Sequence, residues 1–263
     1  MKQLIALSLI AASALHADFI EKTFTYVFEE TTFEATVVYA QDTAKDASLP
    51  GILMVPYWMG PGERATERAR LLADDEFAVF VVDMYGVDIR PNNASEAGAA
   101  AGFVRGDRAL MRRRAQEAVN QFAALSGSHP IDGENILAIG FCFGGGTVLE
   151  LARSGTKDVK GVVSFHGNLD TPDPAIAQNI QVPVMVLHGA DDPYVPKEQV
   201  NGFEEEMRAA GVDWQLVSYG GAVHSFTNPY ANNPGASIYH ERTAKRAYEK
   251  MDEFAEEVMG LDD

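Results

Sequence analysis

The chain holds one cysteine, Cys142, in 263 residues. No internal disulfide is possible, so a packed core alone must hold the fold. Basic residues are scarce as well: 21 Lys and Arg stand against 38 Asp and Glu, a formal net charge of -17. A field of that sign repels phosphate backbones and anionic bilayer surfaces, which argues against nucleic acid as a partner. Beyond the first residues, no run approaches the ~18 consecutive apolar residues of a membrane-spanning helix. The sequence has no H-E-x-x-H and no clustered His/Cys spacing, so neither a metal nor another cofactor is expected. Internal repeats and breaks in composition are also missing. With 46% hydrophobic residues, the chain can fill the core of a single α/β domain.

What is present begins with Lys2 and an apolar run over residues 4–15, built almost wholly from Leu, Ile, Ala and Ser. Small residues follow. This is the layout of a secretory signal peptide over residues 1–17, with cleavage after Ala14 or Ala17. A buried N-terminal helix or strand is the alternative. The expected product is one domain over residues 18–263, periplasmic in a Gram-negative bacterium and otherwise secreted. An unpaired thiol is a liability in an oxidising compartment. It is tolerated when buried and inert, or when it does chemistry, and the count alone favours the inert case.

Residues 22–39 alternate in polarity about a Glu29-Glu30-Thr31 break, which predicts two half-buried antiparallel strands. Continuous apolar strands are then expected at residues 52–55, 77–82, 136–139, 159–165, 182–187 and 214–219. Helical spacing is expected at 64–72, 108–125, 146–153, 196–210 and 238–259. Apolar strands interleaved with amphipathic helices imply a mostly parallel sheet covered on both faces and entered by an antiparallel edge. Residues 87–102, rich in Asn, Ala, Ser and Gly, read as a connector or a lid. Arg105, Arg108, Arg112, Arg113 and Arg114 read as a helix face making ion pairs within so acidic a chain, rather than as an anion site.

Between a buried strand and a helix lies Gly140-Phe141-Cys142-Phe143-Gly144-Gly145. A nucleophile on a sharp strand-to-helix turn needs small residues two positions to either side, and Gly140 and Gly144 are so placed. The turn would present Cys142 at the sheet's C-terminal edge, where the helix dipole favours a thiolate. It would also aim the Phe143 N–H at a developing oxyanion. Two other readings compete: a phosphate cradle, for which the glycine spacing is wrong, and a small core cysteine at a close strand–helix approach. A nucleophile needs a base, and the base an orienting acid. After the strand at 182–187 come Asp191 and Asp192; the G-x-x-D-x-x-V-P pattern favours Asp192. His224 follows the next strand. His129, His166 and His188 precede the acid in the chain and His240 opens a helix, so all four fit less well.

These segments resemble the dienelactone hydrolase family, whose hallmark G-x-C-x-G-G is read here at residues 140–145. The resemblance spans residues 24–259. It implies an α/β-hydrolase fold, with Cys142 as nucleophile, Asp192 as acid and His224 as base. It also implies a second oxyanion donor, the N–H of Trp58. The substrate would be a small ester or lactone, cleaved through a thioester acyl-enzyme. Two family features are absent. Tyr57 stands where dienelactone hydrolases carry a glutamate beside the thiol. Val87 and Asn228 stand where they carry substrate-binding arginines, with Arg90 close to the first. The expected pocket contacts are Tyr57, Tyr85, His166, Phe226 and Asn228. A catalytically silent member of the same fold, binding a ligand or partner in the same cleft, is the alternative.

Overall fold

The first two strands form where alternation is clearest. β1 (Phe19–Phe28) and β2 (Thr31–Ala40) pair antiparallel through a two-residue turn. Glu29 and Glu30 occupy that turn with φ of 46° and 63°, the sign a twisted hairpin demands at both central positions. The computed structural model describes residues 18–41, 48–73 and 76–261. The expected signal peptide at 1–17 and its two cleavage sites lie outside them.

The remaining strands are β3 (Leu49–Val55), β4 (Ala78–Val81), β5 (Ile131–Phe141), β6 (Gly161–Phe165), β7 (Val184–Gly189) and β8 (Trp214–Tyr219). They make one eight-stranded sheet in the order β1-β2-β4-β3-β5-β6-β7-β8. Only β1–β2 and β2–β4 are antiparallel. The predicted antiparallel edge and parallel body are therefore both present. β3, β4, β6, β7 and the second half of β5 are buried on both faces, which is why they read as apolar runs. Successive side chains feed two separate cores. Leu53, Val55, Phe80 and Ala138 pack on one face, Ile52, Met54, Val79 and Leu137 on the other.

Helices α2 (Ala94–Gly106), α3 (Arg108–Ala123), α4 (Phe143–Arg153) and α5 (Lys197–Ala210) cover the first face. α1 (Glu63–Ala73) and α6 (Glu241–Met259) cover the second. A two-strand ribbon, β9 (Asn232–Asn233) with β10 (Ser237–Ile238), closes the loop after β8. Among the described residues, no helix is long and apolar enough to cross a membrane.

One expectation fails here. Most of the segment expected to be a lid or connector is α2, a regular helix. Asn93 caps it by accepting from the Glu96 N–H at 3.0 Å, and Glu96 Oε1 accepts in return from Asn93 Nδ2 at 2.8 Å. Ala97, Ala100 and Val104 form its buried stripe. Small residues disguised the amphipathic period, because alanine contributes little to a hydrophobic pattern while favouring helix strongly.

Four of the five arginines of α2 and α3 make internal ion pairs, as expected; the fifth, Arg114, is buried and donates to the Met84 carbonyl at 2.8 Å instead. Arg105 and Arg108 meet Asp170, Arg112 meets the buried Glu150, and Arg113 meets Glu29. Arg153, 1% exposed, joins this network. It bonds Glu150 at 3.1 Å and both oxygens of Glu206 at 2.7 Å.

Candidate active site

β5 ends at Phe141 and α4 starts at Phe143, so Cys142 alone turns the chain. Its backbone sits at φ 57° and ψ -114°. Such a conformation costs a non-glycine residue roughly 1–3 kcal/mol and persists only where the surroundings enforce it. The enforcement is steric. A Cβ on Gly140 would lie 2.0 Å from the Gly144 carbonyl oxygen, and one on Gly144 would lie 2.0 Å from that of Val55. The second contact also packs the loop after β3 directly against the turn. The Cys142 N–H donates to the Phe165 carbonyl at 3.0 Å. The thiol residue itself is half-buried, which leaves it reachable. Phe143 opens α4, where backbone N–H groups have no partner within the helix.

Three residues beyond the end of β7 is Asp192, 4% exposed. Its Oδ2 lies 2.7 Å from His224 Nδ1, and its Oδ1 accepts from the Tyr194 N–H at 2.8 Å. A carboxylate only accepts, so Nδ1 carries the proton and Nε2 is left for the thiol side. Asp191 is exposed and accepts instead from the Gly221 N–H at 3.0 Å. Geometry therefore selects Asp192 of the two. β9 and β10 fix the histidine from behind: its N–H donates to Ala236 at 3.2 Å, and its carbonyl accepts from Ile238 at 3.1 Å.

Burial works against a charged ring at His224. The charge of Cys142, hydrogen bonds to Asp192 and Cys142, and the charge of Asp192 outweigh it and raise the imidazolium to about 10. His224 is thus coupled to Cys142 as well as to Asp192. His166, by contrast, is pushed well down by burial and by the neighbouring His224 and Arg68 charges. Its ring meets that of His224 edge-on at 5.2 Å. Burial disfavours charge on both rings, but only His224 has Asp192 and Cys142 to offset it.

The expected pocket contacts divide. Tyr57 and Asn228 line one cavity, together with residues of α1 and Thr227. Tyr85 is buried and close enough to Cys142 for burial, the thiol's charge and Asp83 to push its phenol up. It donates to the Trp58 carbonyl at 2.8 Å and packs on Phe143, so it pins the loop that carries the Trp58 N–H. His166 and Phe226 are corrections. They are 2% and 0% exposed, packed edge-to-face on each other at 5.1 Å, and so sit behind His224 as support rather than facing a ligand. Arg90 is also corrected as a stand-in for a substrate-binding arginine. Its guanidinium is consumed by Asp83 at 3.0 Å and by the Gly86 and Ile89 carbonyls. Arg64 and Arg68, which the sequence did not single out, line the same cavity as Tyr57 and Asn228.

The dienelactone hydrolase family model matches residues 35–259. The chain belongs to this family. Membership makes it a carboxylic ester hydrolase with a small-molecule substrate. Among solved structures it is similar to a dienelactone hydrolase-like promiscuous phosphotriesterase, P91, from metagenomic libraries. That chain is 37% identical, with a TM-score of 0.82, over 91% of this chain and 98% of the other. A second structure, m3DLH, is 33% identical with a TM-score of 0.83, over 92% and 99%. A Salmonella typhimurium protein named "Putative carboxymethylenebutenolidase" is 27% identical over 81% of this chain and 79% of its own. The positions at which the resemblance departs, Tyr57, Val87 and Asn228, include none of Cys142, Asp192 and His224.

Proposed function

We propose that this enzyme hydrolyses a small ester or lactone by acyl transfer to Cys142. The Cys142 sulfur attacks the carbonyl carbon while the N–H groups of Phe143 and Trp58 receive the developing oxyanion. The tetrahedral adduct collapses to a thioester as the C–O bond breaks, and His224 gives its proton to the departing alkoxide. Water then attacks the thioester, with His224 taking a proton from it. The acid leaves, the sulfur is restored as a thiolate and the ring as an imidazolium. Asp192 holds the tautomer and orientation of the ring throughout.

The observation that supports this most is the position of His224, joined to Asp192 at 2.7 Å and near enough to Cys142 for the sulfur's charge to favour an imidazolium. A silent binder would have no use for a strained, half-exposed thiol near that ring. Export also remains part of the reading, resting on residues 1–17; fractionation of cells expressing the full chain tests it.

Leaving-group protonation gives a pH test. His224 is raised to about 10, so the acid form is present below that value and lost above it. On a lactone or alkyl ester, whose alkoxide needs a proton, kcat/KM should fall tenfold per pH unit above about 10. On a p-nitrophenyl ester, whose leaving group does not, the fall should be much shallower. Equal profiles for both substrates would remove His224 from the acid role. A phosphotriester belongs in the same substrate panel, given the relative described as a promiscuous phosphotriesterase.

A further inference from the structure

Among the described residues, five that are not glycine have positive φ. Glu29 and Glu30 make the turn between β1 and β2. Of the other three, Cys142 is the proposed nucleophile, and Ser225, at 57°, follows the proposed base. The third is His166, at 40°, one residue past the end of β6. Such a conformation is costly for a residue with a Cβ and collects at functional sites. Acyl transfer gives work to the segments of the first two and none to His166.

The side chain is costly as well. The ring is 2% exposed, so both its nitrogens are taken out of water. A phenylalanine would fill the same space without that penalty. What the imidazole adds is a hydrogen bond: Nε2 lies 2.8 Å from Thr227 Oγ1. Thr227, 3% exposed, stands three residues after His224. The same hydroxyl accepts from Arg68 Nη1 at 3.1 Å, and the Thr227 carbonyl accepts from Nη2 at 3.4 Å. The Arg68 guanidinium in turn lies 4.0 Å from the centre of the ring of Phe141, the residue before Cys142. One hydroxyl thereby ties together the segments that carry the base, the nucleophile and the end of β6.

The His224 ring needs such a frame. Its bond to Asp192 fixes one atom, Nδ1. The plane of the ring, and with it the direction of Nε2, is set by what packs on it. Two rings do so edge-on: His166 at 5.2 Å and 65°, and Tyr194 at 5.1 Å and 82°. Tyr194 is 51% exposed, whereas His166 is buried and anchored through Thr227.

We propose that His166 is a positioning residue, which with Thr227 holds the His224 ring in the plane that aims Nε2 at the Cys142 sulfur. It acts through the base and not on the substrate. This role deepens the acyl-transfer reading and rests on it. Nε2 must serve the sulfur, the leaving alkoxide and then water, and a displacement of about 1 Å can cost roughly a hundredfold in rate.

Three variants of the full chain test this: His166→Phe, Thr227→Val and Thr227→Ser. The first keeps a ring and loses the hydrogen bond; the second keeps the shape of Thr227 and loses its hydroxyl; the third restores the hydroxyl. On a p-nitrophenyl ester, kcat should fall about tenfold in His166→Phe and in Thr227→Val, with KM within about twofold of the wild type. Thr227→Ser should recover most of the loss. Thr227→Val keeps the test open if His166→Phe folds poorly. A second arm needs no ester: the rate at which iodoacetamide alkylates Cys142, the chain's one thiol, reads the thiolate that His224 sustains. That rate should fall by a similar factor in the same two variants. Slower alkylation in an enzyme that cleaves no ester would keep the positioning role and remove the hydrolase reading. Wild-type kcat and alkylation rates in both variants, whether or not their unfolding midpoints drop, would reduce His166 to packing and leave hydrolysis standing.

Discussion

Cys142→Ala should lower kcat by roughly 10⁴–10⁶-fold on every ester the enzyme cleaves, with the thermal transition almost unmoved. The size follows from how a nucleophile and its base act as a unit. Without the sulfur, His224 and Asp192 have nothing to deliver to the carbonyl, and only binding and the oxyanion donors remain. Stability should survive because the side chain is half-buried and the turn is imposed from outside it. The contacts of Gly140 and Gly144 with the backbone of residues 144 and 55 are unaffected by the change. A kcat within tenfold of the wild type would show that the reaction does not pass through this sulfur. Equilibrium unfolding distinguishes a chemical loss from a folding one.

Arg153→Met should be the opposite case, costly to the fold while leaving the triad in place. Arg153 is 1% exposed and bonds both oxygens of Glu206, itself 5% exposed. Removing the guanidinium strands a buried carboxylate, and breaking such a pair from one side costs about 3–5 kcal/mol. In a domain of this size that lowers Tm by roughly 10 °C. Glu150 should suffer less, because Arg112 also reaches it at 2.6 Å. The double variant Arg153→Met/Glu206→Leu should recover most of the loss, since no charge is left buried alone. Failure of the double variant to recover would mean that the packing of the long side chain, and not its charge, carries the stability. α4 begins at the nucleophile turn and ends at Arg153, so the network anchors the far end of the helix that presents the Phe143 N–H.

Much of this could be read from the chain because the periodicities were clean. The apolar runs at residues 52–55, 78–81, 136–139 and 184–187 each fall within a buried strand of the parallel body. The strained turn at Cys142 is legible because its steric demand falls on backbone positions that only glycine satisfies, and Gly140 and Gly144 carry that demand in the sequence itself. Asp191 and Asp192 were only weakly distinguishable, being neighbours of the same type on one loop. The choice depends on which carboxylate faces His224 across 32 positions of chain, a tertiary fact. α2 was hidden by its alanines, though the Asn93-x-x-Glu96 cap was there to be found.

The pocket was the least legible part, for a physical reason. Arg64 and Arg68 stand four residues apart on one helix, a spacing that in isolation describes a solvated face. Only the approach of Thr227 and Phe141 turns that face inward. His166 and Phe226 were misplaced for the converse reason. Closeness in sequence to the active loops suggested contact with substrate, whereas strand ends at a sheet edge also supply the layer on which the catalytic ring rests.

The most direct measurement is acid quench of a turning-over mixture followed by mass spectrometry of the Cys142 peptide. With a slowly deacylating lactone or ester, that peptide should gain the mass of the acyl group as a thioester released by hydroxylamine, and the adduct should vanish in Cys142→Ala. Steady turnover with the adduct on another residue, or with the Cys142 peptide unmodified at every quench time, would contradict an acyl-enzyme on this sulfur.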